Sequence, residues 1–442
     1  MKKGPKFISW LFAFIFVISL INIAGEAQET SPKPTETPLP SPTSTPIPTV
    51  TPEVSPSSAL STGIVQIMTN HYRLFYEGSE EEAKLFGQKL EAGLELYNSV
   101  LHFDLNKLAI KLKVRIFATK ESFNNYLKNV IKETKDDFVY IHYTDLGKCE
   151  MVGFLKSNES DLHAALLHQG LVQFLKAYVA TPPLWLQEGL AAFFEQAQWS
   201  ASTRSFSLPT ELVWLTTLKR LVKGGTEGNL IPFDTFLVLD KFSAQGQLTV
   251  FYPQAWGLVY FLLNSSERNI NRILWDSIAA LDPSATLMEN STRVKEKAFG
   301  WYGLSKLENA FKDYYTNLKS LSELVAEAIN LYSINELDKA QALFLQVKER
   351  SKDSYIPYYY LGLISYGKKN YADAESYYLK ARSLNAPKAL ISYAMGVNAY
   401  ADNNFDKAVL YLNEAKKEDP TKYAEKVNQV LESIQAETNS KS

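Results

Sequence analysis

The amino-acid sequence predicts an α+β domain, a small sheet and then helices, followed by an all-α solenoid of stacked helix pairs. Three observations carry this. Segments dense in β-branched and aromatic residues lie between residues 64 and 155, and helical spacing replaces them beyond that point. Small residues recur at a 34-residue step from residue 321 onward. Ahead of both stands a stretch too poor in apolar side chains to fold: residues 28–60 hold 9 of the 19 prolines and 13 Ser or Thr, with no aromatic residue.

Composition narrows the function classes. At roughly 150 residues per domain, 442 residues imply two or three domains. Lys and Arg number 46 against 48 Asp and Glu, so a net charge of -2 offers no field to gather nucleic acid. The single cysteine, Cys149, excludes an internal disulfide framework and a cysteine-based zinc cluster. Its surroundings, GKCEMVG, do not look like those of an activated thiol. Any metal site must draw on His71, His102, His142, His163 and His168.

Taken in order, the chain opens with Lys2, Lys3 and Lys6 and then an uncharged apolar run over residues 7–25. Gly25 and Ala27 suit cleavage before Gln28, which makes residues 1–27 a signal peptide. The run is also almost long enough to span a bilayer, which makes it an anchor and a possible membrane tether. Both readings deliver the rest of the chain outside the cytoplasm, secreted or anchored. Without a lipobox cysteine, a lipoprotein is excluded. Residues 28–60 then form a disordered stalk with polyproline II character.

From residue 64, VQIMTNHYRLFYEG and IKLKVRIFA read as strands, with a helix between them over residues 80–101. That helix aligns Leu85, Leu90, Leu94 and Tyr97. FVYIHY and CEMVGFLK are two further strands. A helix over 159–178, the break at Pro182-Pro183, a second helix over 184–198 and a mainly helical region to 318 complete the domain at 64–320.

The catalytic suggestion sits in LHAALLHQGLVQFL followed by PPLWLQEGLAAFFEQ. This tract resembles the gluzincin (peptidase MA-like) pattern, in which HExxH is followed by a helix reading roughly P-x-W-x-x-E-G-x-A. The resemblance extends over about 64–320, and WLQEGLA is its most specific part. It implies that His168 occupies the first ligand position and Glu188 the third, with Tyr252 as a candidate for a downstream tyrosine that stabilises a transition state. The departures are chemical. Gln169 stands where the general base belongs and has no basic site near neutrality. Val172 stands where the second histidine belongs and has no lone pair for a metal. Two ligands are one short of a catalytic zinc site, so no cofactor is expected. His163 lies about 140° around the helix from His168 and faces elsewhere.

The last 120 residues repeat. Ala340, Ala374 and Ala408 form one series, Ala328, Gly362 and Gly396 a second, and Val347, Ala381 and Ala415 a third. These series resemble tetratricopeptide repeats, with units near 321–354, 355–388 and 389–422 and a capping helix over 421–436. In that family the positions of Val325, Tyr359 and Tyr393, and of Tyr332, Tyr366 and Tyr400, line a concave groove, which implies protein or peptide ligands. None of the six is Lys or Arg, which argues against a clamp for acidic C-termini.

Two functions follow. One is an extracytoplasmic pseudopeptidase that binds partners. The other is a zinc-dependent peptidase with an unorthodox ligand set, drawing in His142 or a residue from a partner.

Overall fold

The structure is a computed structural model that describes residues 63–108, 110–208, 212–226 and 228–439. The apolar run at 7–25 and the stalk at 28–60 lie outside the described residues. No described helix is long and apolar enough to cross a membrane. The chain divides into two compact units between Leu318 and Lys319.

A small sheet opens the first unit. Its strands are β1 (Ile64–Met68), β2 (Tyr72–Glu77), β3 (Leu112–Phe117), β4 (Val139–Ile141) and β5 (Glu150–Phe154), in the order β1-β2-β3-β5-β4. The central pairs β2–β3 and β3–β5 are parallel, and both edge strands are antiparallel to their neighbours. What the sequence suggests as one continuous strand over 65–78 is a hairpin. Its turn is pinned by Glu91, which accepts from the His71 backbone N–H and lies 2.7 Å from His71 Nδ1.

Glu91 belongs to α1 (Glu80–Leu101), which starts at a capping box between Ser79 and Glu82. Its buried face carries Ala83, Phe86, Leu90, Leu94, Tyr97 and Leu101, whereas Leu85 is 47% exposed. Leu85 therefore does not belong to the apolar stripe: 100° of rotation per residue puts Phe86 there instead. A helix with no counterpart in the expected pattern, α2 (Lys120–Val130), covers part of the other sheet face. It buries Phe123 and Leu127 against Phe117, Val152 and Phe154.

The site is built by the next helices, α3 (Glu159–Tyr178) and α4 (Leu184–Phe194). The second ends earlier than expected, because residues 198–207 form the hairpin β6 (Gln198–Ser200) and β7 (Ser205–Ser207). After α5 (Leu215–Lys223) and the single turns α6 (Phe233–Phe236) and α7 (Lys241–Ala244) comes α8 (Leu248–Asn264). The unit closes with α9 (Arg268–Ala279), α10 (Leu287–Val294) and α11 (Leu304–Asn317).

Close approach of α4 and α8 depends on Gly189, where a Cβ would stand 2.5 Å from the Ala255 carbonyl oxygen. A buried glutamine secures the other flank. Gln254 accepts from the Ile231 N–H at 2.8 Å and donates to the Ile231 carbonyl at 2.7 Å. One apolar core runs from the inner sheet face through these helices.

The second unit consists of three helix pairs and a terminal helix. The pairs are α12 (Leu321–Ser333) with α13 (Leu337–Arg350), α14 (Ile356–Gly367) with α15 (Tyr371–Ser383), and α16 (Lys388–Ala401) with α17 (Phe405–Glu418). The turn within each pair contains a residue of positive φ, at Asn335, Lys369 and Asn403 in turn, repeating the sequence step in the backbone. Ala328, Ala340, Ala374 and Ala408 are fully buried. At Gly362 a Cβ would meet the Tyr378 ring at 2.4 Å, and at Gly396 it would meet Leu412 at 2.7 Å. The helices pack so closely at these positions that larger side chains do not fit. The last helix, α18 (Pro420–Asn439), buries Tyr423, Val427, Val430 and Ile434 and turns a polar face outward, as the end of a stack requires.

Candidate functional site

His168, in the middle of α3, faces α4. Its Nδ1 lies 2.7 Å from Glu195 Oε2, and its Nε2 lies 3.5 Å from Glu188 Oε2. Only 14% of each of the His168 and Glu188 side chains is exposed, and 22% of Glu195. The second Glu188 oxygen accepts from the Gln187 side-chain amide at 2.7 Å. Val172, one turn beyond His168 on the same helix face, is buried in the core. Tyr252 on α8 completes the group. Burial raises the pKa of its hydroxyl, and the charges of Glu188 and Glu195 raise it further. His168, Val172, Glu188 and Tyr252, singled out in the sequence, are thus brought together.

The electrostatics follow from the two carboxylates. Burial would lower the pKa of His168, but hydrogen bonds to Glu188 and Glu195 and their charges outweigh it and raise it to about 10. At neutral pH the ring is an imidazolium whose two N–H groups point at two acids. Burial would raise the pKa of Glu188, but the hydrogen bond and charge of His168, helped by Gln187 and Lys241, lower it. Lys176 follows Val172 by one more turn of α3. Its ammonium is shifted down by burial and partly held by Glu188.

The other histidines lie apart from this group. His163 packs edge-on against Phe206, and burial, then the Lys89 charge, lowers its pKa to about 4. His142, just past β4, has a buried Nε2 without a hydrogen-bond partner. Its pKa is lowered to about 4 by burial and then by Lys176.

The chain matches the family model described as a protein of unknown function (DUF1570) over residues 162–280. That span runs from α3 through α9 and contains His168, Gln169, Val172, Glu188, Glu195 and Tyr252. No match was found among curated proteins or among solved structures.

Does the group fit a metal ion? Zinc bonds of about 2.0–2.2 Å at tetrahedral angles put two donor atoms roughly 3.3–3.5 Å apart. The separation between His168 Nε2 and Glu188 Oε2 falls in that range. A third donor is lacking, however. Glu195 engages Nδ1, on the other edge of the ring, and Gln169 and Val172 supply no anionic or imidazole ligand. Among the described residues no set of three or more His, Cys, Asp or Glu side chains is placed to hold an ion. The residues present do not fit a catalytic zinc.

Sequence reading passed over Glu195. It follows Glu188 by seven residues, two helical turns, so the i, i+7 spacing could have found it. Lys176 and Lys241 carried no sequence signal, because their relation to Glu188 arises only from packing.

In the helix pairs, Tyr359 and Tyr393 are buried, at 1% and 5% exposure, while Tyr332, Tyr366 and Tyr400 are half-buried. The Tyr359 ring contacts Tyr360 and Tyr378, and the Tyr393 ring contacts Tyr423 of α18. Tyr400 donates to Glu437 at 2.8 Å. Val427 and Ile434 of α18 extend the two tyrosine series by one more step of 34, and both are buried.

Proposed function

We propose that this chain is an exported, non-catalytic binding protein. In this reading a gluzincin-like domain that has no metal chemistry precedes three tetratricopeptide repeats and a cap, which receive a protein or peptide partner. The observation that carries it is His168 held between Glu188 and Glu195, with Gln169 and Val172 where a base and a ligand would be needed. His168 and Glu188 alone are one donor short of the three protein ligands of a catalytic zinc. The ion cluster joins α3 to α4, the role a metal would otherwise fill.

The repeat half of the reading is supported by the 34-residue recurrence of tight helix crossings and positive-φ turns. Since Tyr359 and Tyr393 are buried, the half-buried Tyr332, Tyr366 and Tyr400 are the tyrosines a partner would reach first. Export is supported by the positive residues 2, 3 and 6 ahead of the uncharged run.

The test is the metal content of the full chain, purified without added metal and assayed alongside for peptide hydrolysis. Far less than one zinc per chain and no hydrolysis are expected. One zinc per chain, lost in His168→Ala, would overturn the reading.

A further inference from the structure

We infer that Lys176 makes this site a receptor for a carboxylate: its unpaired ammonium, together with the unpaired Nε2 of His142, holds one carboxylate group at the Val172 end of the site. This ligand class rests on the non-catalytic reading of the site and makes it more specific.

The group around His168 carries one positive charge too many. Its acids are Glu188 and Glu195, and its cations are the His168 imidazolium, Lys176 and Lys241, all three of which act on Glu188. Lys135, which repels Lys241, is itself paired with Glu133 at 2.5 Å. The imidazolium is spent on the two acids, and the second oxygen of Glu188 is taken by the Gln187 amide.

Lys176 is the cation left without a contact. It stands one turn of α3 beyond Val172 and two beyond His168, half-buried in the last turn of the helix. No hydrogen bond and no ion pair within 4 Å joins it to any described residue. Glu188 attracts it from farther than that, so a gap separates the ammonium from the carboxylate. Burial strips an ammonium of part of its hydration and pushes its pKa down, a cost that a bound anion offsets.

His142 supplies a second unpaired atom at the same end of the site. It follows β4, which packs against α3, and its Nε2 is buried with no partner. Burial, and then the Lys176 charge, holds its pKa at about 4, so the ring is neutral and one tautomer offers an Nε2–H. An ammonium and an imidazole N–H together match a ligand that only accepts hydrogen bonds. The surplus of a single positive charge selects a monoanion, and the Glu188 carboxylate nearby disfavours a phosphate dianion. A carboxylate meets both conditions.

The experiment titrates the full chain, labelled in histidine and lysine, with benzoate, with N-acetyl-dialanine, with the C-terminal amide of that peptide and with inorganic phosphate. The readouts are the resonances of the His142 ring and the Lys176 side chain. The two carboxylates should shift both residues saturably and the amide neither. Tighter binding of the peptide acid makes a peptide C-terminus the source, and tighter binding of benzoate makes it a small free acid. Lys176→Met should weaken binding about 10–100-fold, the loss expected for a hydrogen bond to a charged group, and Lys352→Met, at an exposed lysine of the repeats, should leave it unchanged. No saturable shift, an equal response to the amide, or tighter binding of phosphate would overturn the inference.

Stability without ligand supplies a second readout. An ammonium that awaits a ligand holds nothing together, so Lys176→Met should melt no lower than the native chain. A lower melting temperature would mean that Glu188 already satisfies Lys176, and would overturn the inference. Hydrolysis of the peptide would instead overturn the non-catalytic reading.

Discussion

Replacing His168 by leucine tests the ion cluster directly. The substitution leaves Glu188 and Glu195, which engage opposite edges of the ring, mostly buried and without their shared cation. Two routes give the magnitude. Raising a histidine from 6.5 to about 10, at about 1.4 kcal/mol per unit, sets a ceiling near 5 kcal/mol. Removing one partner of a buried ion pair costs about 3–5 kcal/mol. The exposed fractions of these side chains admit some water, which favours the lower end, about 3 kcal/mol. For a unit of this size that is roughly 6–12 °C in melting temperature.

The assay is calorimetry of the native chain and the variant across pH. Because the folded pKa of His168 is raised, its contribution is complete below about 6.5 and fades as pH climbs through about 10. Because the pKa of Glu188 is lowered from 4.5, its contribution is complete above that value and fades as pH falls through the folded pKa. The penalty of His168→Leu should therefore be largest between about pH 4.5 and 6.5 and shrink toward both extremes. A penalty under about 0.5 kcal/mol at pH 6, or one that grows from pH 6 to pH 10, would refute the reasoning.

Two other substitutions probe the scaffold around the site. Gly189→Ala should destabilise by about 1–2 kcal/mol in denaturant unfolding, because the contact with the Ala255 carbonyl outweighs the roughly 1 kcal/mol gained in helix propensity; a stabilised variant would show that α4 and α8 have room to separate. Gln254→Leu should cost about 2–4 kcal/mol by stranding the buried N–H and C=O of Ile231, and unchanged stability would mean water takes over both bonds.

The sequence by itself determined much of this molecule through local rules. Alternation and β-branched density marked the strands, the capping box at Ser79 and Glu82 starts α1, and the proline pair at 182–183 separates α3 from α4. The 34-residue recurrence of small side chains marked the helix pairs, and the crossings at Gly362 and Gly396 leave no room for a Cβ. Tertiary structure decided the rest. The expected strand over 65–78 folds back as a hairpin because a glutamate from α1, some twenty residues on, pins its turn.

At the site, the resemblance to the gluzincin pattern singled out His168 and Glu188, but it did not reveal the second acid on the ring, Glu195. That arrangement depends on where α4 ends, on the crossing of α3 with α4, and on burial that draws Glu195, Lys176 and Lys241 into one electrostatic group. Charge and hydrogen-bond geometry between side chains far apart in sequence are set by packing, and no local periodicity encodes them.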